Sequence, residues 1–311
     1  MNDIAIKLEK VTRDFENVRA VDELSLEVPS GSIFGFLGPN GAGKTTTIHM
    51  LLGLLEPTEG QVGVLGFDAR TRGEEVRMRT GALLEHPGIY EQLSAEDNLE
   101  FYGRVWRIPE PERSARIKEL LSHIGLWERR KDQAGKWSRG MKQKLALARV
   151  LIHKPPLILL DEPTAGLDVM SGTAVREDLV SLVEREGTTV FLTTHNMSEA
   201  EKLCDQVAVI REGSLVTVGS PDELRSRATR PQVVVIGHGF GPMVVQMVEE
   251  LPEVTAVSAR NGRLTIDLRQ ELATAHLVSI LVEAGAHVDE IRRGKASLEE
   301  VFVALMEEEN A

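Results

Sequence analysis

The stretch Gly38-Pro39-Asn40-Gly41-Ala42-Gly43-Lys44-Thr45 constrains this chain more than any other. It fits the phosphate-loop pattern of a glycine, four free positions, then Gly-Lys-Ser/Thr. The apolar run Ile33–Leu37 enters it, and Thr46 to Leu52 leaves it with the character of a helix. Glycines at 38, 41 and 43 let backbone N–H groups curl around phosphate oxygens, and a helix starting near Gly43 turns its positive dipole end to the same anion. Lys44 is placed to neutralise β- and γ-phosphates and the Thr45 hydroxyl to hold Mg²⁺. A strand, loop and helix in this order predict a nucleoside triphosphate site.

The rest of the chain reads around that loop. Short alternating runs over 4–36 predict antiparallel strands, with Phe15 among them. Strands follow at 61–65 and 80–84, separated by a mixed-charge, solvated stretch from Arg70 to Arg79. From about 94 to 153 the period becomes helical. Ser94 has the spacing of a cap, and Leu99, Tyr102, Gly103 and Trp106 share one face, which predicts an inserted helical subdomain. Leu157–Leu160 and Thr189–Thr193 are apolar on both faces, as central parallel strands are. A helix is expected between them, around Ala174 to Glu186. The polar stretch Arg225–Pro231 sets a domain boundary near 229, giving domains 1–228 and 229–311. The second follows a strand–helix–strand–strand–helix–strand order, with a last helix at 297–308. That order predicts a small α+β domain of ferredoxin-like type.

Composition narrows the partners. A net charge of -12 argues against general affinity for nucleic acid or acidic lipid. The single cysteine, Cys204, excludes an internal disulfide and fits a reducing cytosol. No apolar run reaches the ~18 residues of a membrane span, and Met1–Lys7 has no signal-peptide pattern, so a membrane role is expected to come through a partner.

Asp161, at the end of the run 157–160, can complete a Mg²⁺ site, and Glu162 beside it is the natural base for an attacking water. Between loop and carboxylates lies Trp137-Ser138-Arg139-Gly140-Met141, opening a helix. After them come Ala165-Gly166-Leu167-Asp168 and Thr193-Thr194-His195. In this order, over residues 4–228, these motifs resemble the ATP-binding cassette (ABC) ATPases. The resemblance implies an α/β P-loop NTPase core with an antiparallel β subdomain and an inserted helical subdomain, binding ATP and Mg²⁺.

Carried over position by position, the likeness makes Phe15 the aromatic that stacks on adenine and Gly38 through Thr46 the Walker A loop. Asp161 and Glu162 become the Walker B pair, Asp168 part of the D-loop, and His195 the switch histidine at γ-phosphate. Ser138 and Gly140 belong to the signature, which meets ATP held by an opposite subunit. The working unit it implies is a head-to-tail dimer, of two copies or with a paralogous ATPase. Three positions depart from the family: Trp-Ser-Arg-Gly-Met stands for Leu-Ser-Gly-Gly-Gln, Phe15 for tyrosine, and Glu85, eight residues before Leu93, for the Q-loop glutamine. Glutamate keeps an oxygen for Mg²⁺ or water and adds charge.

The likeness implies the ATPase of a transporter, bound to the cytoplasmic face of the membrane through a separate permease. The segment after 230 is similar to that of bacterial drug, antibiotic and lipid exporter cassettes, which favours export. The alternative is a non-transport member acting in translation or DNA repair. That class usually shows paired cassettes, long coiled coils or zinc motifs, and none is visible here.

Overall fold

A computed structural model describes residues 4–228, 232–260, 262–269, 274–294 and 298–307. The chain divides after Ser220 into two compact units, Met1–Ser220 and Pro221–Ala311. The boundary expected near 229 lies outside the described residues.

The first unit opens with two long antiparallel strands, β1 (Ile4–Phe15) and β2 (Val18–Pro29), whose alternating residues bury one face. Then come β3 (Ile33–Leu37), α1 (Lys44–Leu51), β4 (Glu59–Val64), β5 (Phe67–Asp68), α2 (Gly73–Arg77) and β6 (Thr80–Leu83). Helices α3 (Ala95–Val105), α4 (Glu112–His123) and α5 (Arg139–Leu151) form the insert. The unit finishes with β7 (Leu157–Asp161), α6 (Val169–Glu186), β8 (Thr189–Thr194), α7 (Met197–Leu203), β9 (Gln206–Arg211) and β10 (Ser214–Gly219).

These strands make two sheets. The first has the order β2-β1-β4-β5 and is antiparallel. The second has the order β10-β9-β3-β8-β7-β6, parallel from β9 to β6, with β10 antiparallel at its edge. Its central strands are covered on both faces: every residue of β3 and β8 is buried, and so are the first four of β7. Phe34, Phe36 and Phe191 are fully buried at its centre.

The register aligns the carboxyl ends. Leu37 pairs with Thr194, Thr193 with Asp161, and Leu160 with Leu83. The residues just beyond, from Gly38, Glu162, Leu84 and His195, therefore crowd one edge of the sheet, where open parallel sheets take their ligands.

A buried cation helps tie the insert to the core. Arg116 of α4, 4% exposed, donates to Glu186 at 2.8 and 3.1 Å, to Glu119 at 3.0 Å and to the Leu151 carbonyl at 2.9 Å. Two elements differ from the sequence reading. The charged stretch 70–79 contains α2, which buries only Val76. Helix α6 begins five residues before Ala174, because Asp168 caps it by accepting from Ser171 N at 3.0 Å.

The second unit consists of α8 (Pro221–Ala228), β11 (Gln232–His238), α9 (Pro242–Glu249), β12 (Val254–Arg260), β13 (Arg263–Leu268), α10 (Thr274–Glu283), β14 (His287–Gly294) and α11 (Leu298–Glu307). Its sheet has the order β12-β13-β11-β14, antiparallel throughout. Val244 and Val248 of α9 and Leu277 and Leu281 of α10 pack on Val233, Val235, Leu264 and Ile266. This is the ferredoxin-like arrangement expected from the element order.

Candidate nucleotide site

Backbone geometry makes the loop 38–43 possible. Gly43 has φ 100°, and a Cβ there would lie 2.4 Å from the Ala20 carbonyl; at Gly38 it would lie 2.6 Å from the Ile210 carbonyl. Only glycine fits both positions. The loop ends at α1, whose first turn carries no acidic residue, leaving its N–H groups open to an anion.

Lys44, 6% exposed, points back into its loop. Its ammonium donates to the carbonyls of Gly38 at 2.8 Å and Pro39 at 3.0 Å and lies 3.6 Å from Glu162 Oε1. The Thr45 hydroxyl donates to Asp161 Oδ2 at 2.8 Å, while Thr193 Oγ1 donates to Asp161 Oδ1 at 2.5 Å. A hydroxyl and a carboxylate this close are hard oxygen donors of the kind Mg²⁺ takes, so the residues present fit that ion.

Glu162 has φ 48°, which a non-glycine residue adopts only under constraint. Its N–H supplies the constraint, donating to the Thr193 carbonyl and hydroxyl, both at 3.1 Å. The turn sends the carboxylate towards His195, whose Nδ1 lies 2.9 Å from Oε1. With Glu162 ionised, that contact puts the imidazole proton on Nδ1.

The loop and helix-start residues Asn40, Gly41, Gly43, Lys44, Thr45 and Thr46 line a cleft of about 420 Å³. Glu85, Asp161 and Glu162 line the same cleft. Glu85 is exposed, just beyond β6.

Other expected residues stand apart from that wall. Ser138 caps α5 by accepting from Met141 N at 3.3 Å. Gly140 packs so closely on the start of α6 that a Cβ would lie 2.5 Å from Ser171 Oγ. Ser171 in turn donates to Asp168 Oδ2 at 2.7 Å, and the hydrogen bonds from Ser171 hold the Asp168 carboxyl below its ordinary range. Ser138, Gly140 and Asp168 thus form one group, and none of them lines the cleft. Phe15 is 41% exposed at the end of β1, outside the cleft lining, with the Arg13 guanidinium 4.5 Å from its ring centre.

Several contributors were not assigned to this chain's own cleft by the sequence, although Arg139 stands inside the Trp137–Met141 motif. Arg139 and Gln143, from the first turns of α5, reach the same cleft. Arg139 donates to the Ala165 carbonyl at 2.8 Å and Gln143 to that of Pro163 at 2.6 Å. Glu199, 2% exposed, accepts from Thr164 at 2.6 Å and from Thr194 at 3.3 Å, tying the loop after β7 to the loop after β8. Thr193, a hydroxyl inside an apolar run, was the one visible hint.

The sequence pattern of the ABC transporter family matches residues 21–165, and that of the DrrA1-3-like ATP-binding protein C-terminal domain matches 219–306. The chain is 37% identical to the bacitracin transport ATP-binding protein of Bacillus licheniformis, over 97% of each chain. It is 34% identical to a daunorubicin resistance ATP-binding protein of Streptomyces coeruleorubidus, over 98% of this chain and 96% of that one. Among solved structures it is similar to a dimeric ATP-binding cassette in a post-hydrolysis state with ADP and phosphate. That match has a TM-score of 0.62 and 26% identity, covering 69% of this chain and 98% of the other.

Proposed function

The chain belongs to the ABC transporter family of ATP-binding subunits, and from that premise we propose that it powers an exporter through a separate membrane permease. The observation that carries the reading is the convergence, at the carboxyl ends of parallel strands, of Lys44, the Thr45–Asp161 pair and the Glu162–His195 pair. Transport also needs a partner, since no helix among the described residues is long and apolar enough to cross a membrane. A position on the cytoplasmic face, held by the permease, follows. Relatives named for bacitracin transport and daunorubicin resistance support export.

The chain hydrolyses ATP: water oxygen bonds to the γ-phosphorus, the bond to the bridging oxygen breaks, and ADP departs. In our reading Glu162 orients the water and accepts its proton, and His195 holds that carboxylate through Nδ1. The loop N–H groups and Lys44 balance phosphate charge, which requires the ammonium to turn from the Gly38 and Pro39 carbonyls. Thr45 and Asp161 would hold Mg²⁺, with Glu85 as a further oxygen donor from the cleft lining, and the ion would neutralise further phosphate charge. We assign Ser138, Gly140 and Asp168 to the nucleotide of an opposite subunit, because they lie off this chain's own cleft. Phe15 serves adenine once Arg13 leaves its face. We assign ATP binding to the unit that ends at Ser220 and an accessory role to the unit that begins at Pro221.

The test is Lys44→Ala. Phosphate charge is then uncompensated, and ATP hydrolysis should fall to background in a phosphate-release assay. Full activity in that variant overturns the assignment of the cleft.

A further inference from the structure

Arg149, near the end of α5, is half-buried and yet pairs with no carboxylate among the described residues. Burial pushes its guanidinium below the ordinary arginine range, and its Nε has no partner at all. Buried charge without a counter-charge is costly, so its retention calls for something that the charge does.

Its contacts converge on one loop. Nη2 donates to the Ala82 carbonyl at 3.0 Å, at the end of β6. On the far side, a Cβ added to Gly88 (φ 62°) would lie 3.3 Å from its Cζ. Tyr102 of α3 closes the cluster: its ring centre is 5.2 Å from the guanidinium, and its hydroxyl donates to the Gly88 carbonyl at 2.6 Å. At Tyr90, two residues beyond Gly88, the N–H donates to buried Asn98 at 2.7 Å and the carbonyl accepts from Asn98 at 2.9 Å. The segment between residues 82 and 88 therefore stands with both feet on Arg149, and Glu85, midway along it, faces the cleft.

We propose that Arg149 is a positioning residue for the reaction, holding the feet of the 82–88 loop so that Glu85 keeps its place in the wall of the nucleotide cleft. The two feet come from separate elements, one in β6 and one beyond the turn. Only a long, forked, cationic side chain meets a carbonyl, a glycine backbone and a ring face together. A bridge that served packing alone needs no charge. Through Tyr102 the clamp also reaches α3, so the loop registers changes on both sides.

The proposal rests on the ATPase reading of the cleft, and the experiment separates the two. The full chain is prepared as wild type, Arg149→Gln, Arg149→Lys, Glu85→Gln and the Glu85→Gln/Arg149→Gln double variant. ATP hydrolysis is followed against Mg²⁺ concentration at saturating ATP, alongside amide hydrogen exchange over 83–90 and thermal unfolding. Arg149→Gln should raise the Mg²⁺ concentration for half-activity about tenfold, the scale of a modest misplacement, and speed exchange in 83–90 while β7 and α1 stay protected. Arg149→Lys should fall between it and wild type. The double variant should shift no further than the larger single change, since both act through one carboxylate. Unchanged Mg²⁺ and exchange curves with only a lower Tm overturn the proposal, as do single shifts that add. If Arg149→Gln does not fold, Tyr102→Phe removes only the bond to Gly88. It should move both curves the same way by about threefold, and unchanged curves overturn the proposal there too. A wild type without ATP hydrolysis sinks the ATPase reading, while the exchange arm still decides the clamp.

Discussion

Glu162 shows how much of this site is backbone. Its φ of 48° costs on the order of 1–3 kcal/mol, offset by the two Thr193 acceptors on its N–H. The carboxylate is thereby delivered to His195 and brought within 3.6 Å of Lys44. Glu162→Gln keeps shape and hydrogen bonding and removes only the base. Hydrolysis should slow by about 10²-fold or more while ATP affinity stays within a few-fold, read by phosphate release and equilibrium dialysis. A loss of affinity matching the loss of rate would assign Glu162 to binding instead. The sequence displayed the residues that meet phosphate because their spacing is a property of the chain itself. It was silent on Gln143 and Glu199, because each acts through a carbonyl or hydroxyl brought near by tertiary packing, which leaves no periodic trace. Phe15 is the converse case. Its type and place were legible, but the arginine lying on its ring was not.

Elements were most legible where burial is complete. β3 and β7 are nearly continuous apolar runs, and β8 carries Val190–Leu192 between buried threonines, because both faces of the parallel sheet are covered. The start of α6 escaped because Asp168 serves two roles, and a cap looks like any loop carboxylate until Ser171 N is seen to donate to it. α5 carries a pH-sensitive contact that periodicity also hid. Just past its end, His153 stacks on Trp106 with ring centres 3.8 Å apart, and burial holds its pKa down at about 4. The unfolded chain binds that proton near pH 6.5 and the folded chain only near 4, so folding releases a proton between those values. This contribution is complete above about pH 6.5 and is lost as pH falls towards 4, amounting to roughly 2 kcal/mol once partial solvent contact is allowed for. His153→Phe keeps an aromatic partner for Trp106 and removes the titration. Urea unfolding at pH 7 and pH 5 should show a smaller stability loss in the variant than in wild type. Equal losses place the pH dependence elsewhere.

At the scale of the whole molecule, the proposed two-subunit arrangement makes this site half a site. One surface offers Lys44, Asp161 and Glu162 around a cleft, and another offers Ser138 and Gly140 at a helix start beside Asp168. Immediately after Asp168 stand Val169 and Met170, 83% and 80% exposed, apolar side chains a lone subunit leaves in water at the very place where the signature group sits. Two copies arranged head to tail would bring each cleft to the other copy's helix start, cover these side chains and enclose two nucleotides. ATP then acts as the adhesive, and hydrolysis releases it. Glu162→Gln should therefore hold the pair together: light scattering should give monomer without nucleotide and dimer with ATP and Mg²⁺, while ADP leaves monomer. Adding Met170→Arg, on a side chain that contributes almost nothing to the isolated fold, should return the ATP sample to monomer without lowering Tm by more than about a degree or two. A Glu162→Gln protein that stays monomeric with ATP would remove the reason for Ser138 and Gly140 to lie apart from Lys44, and with it the two-subunit site.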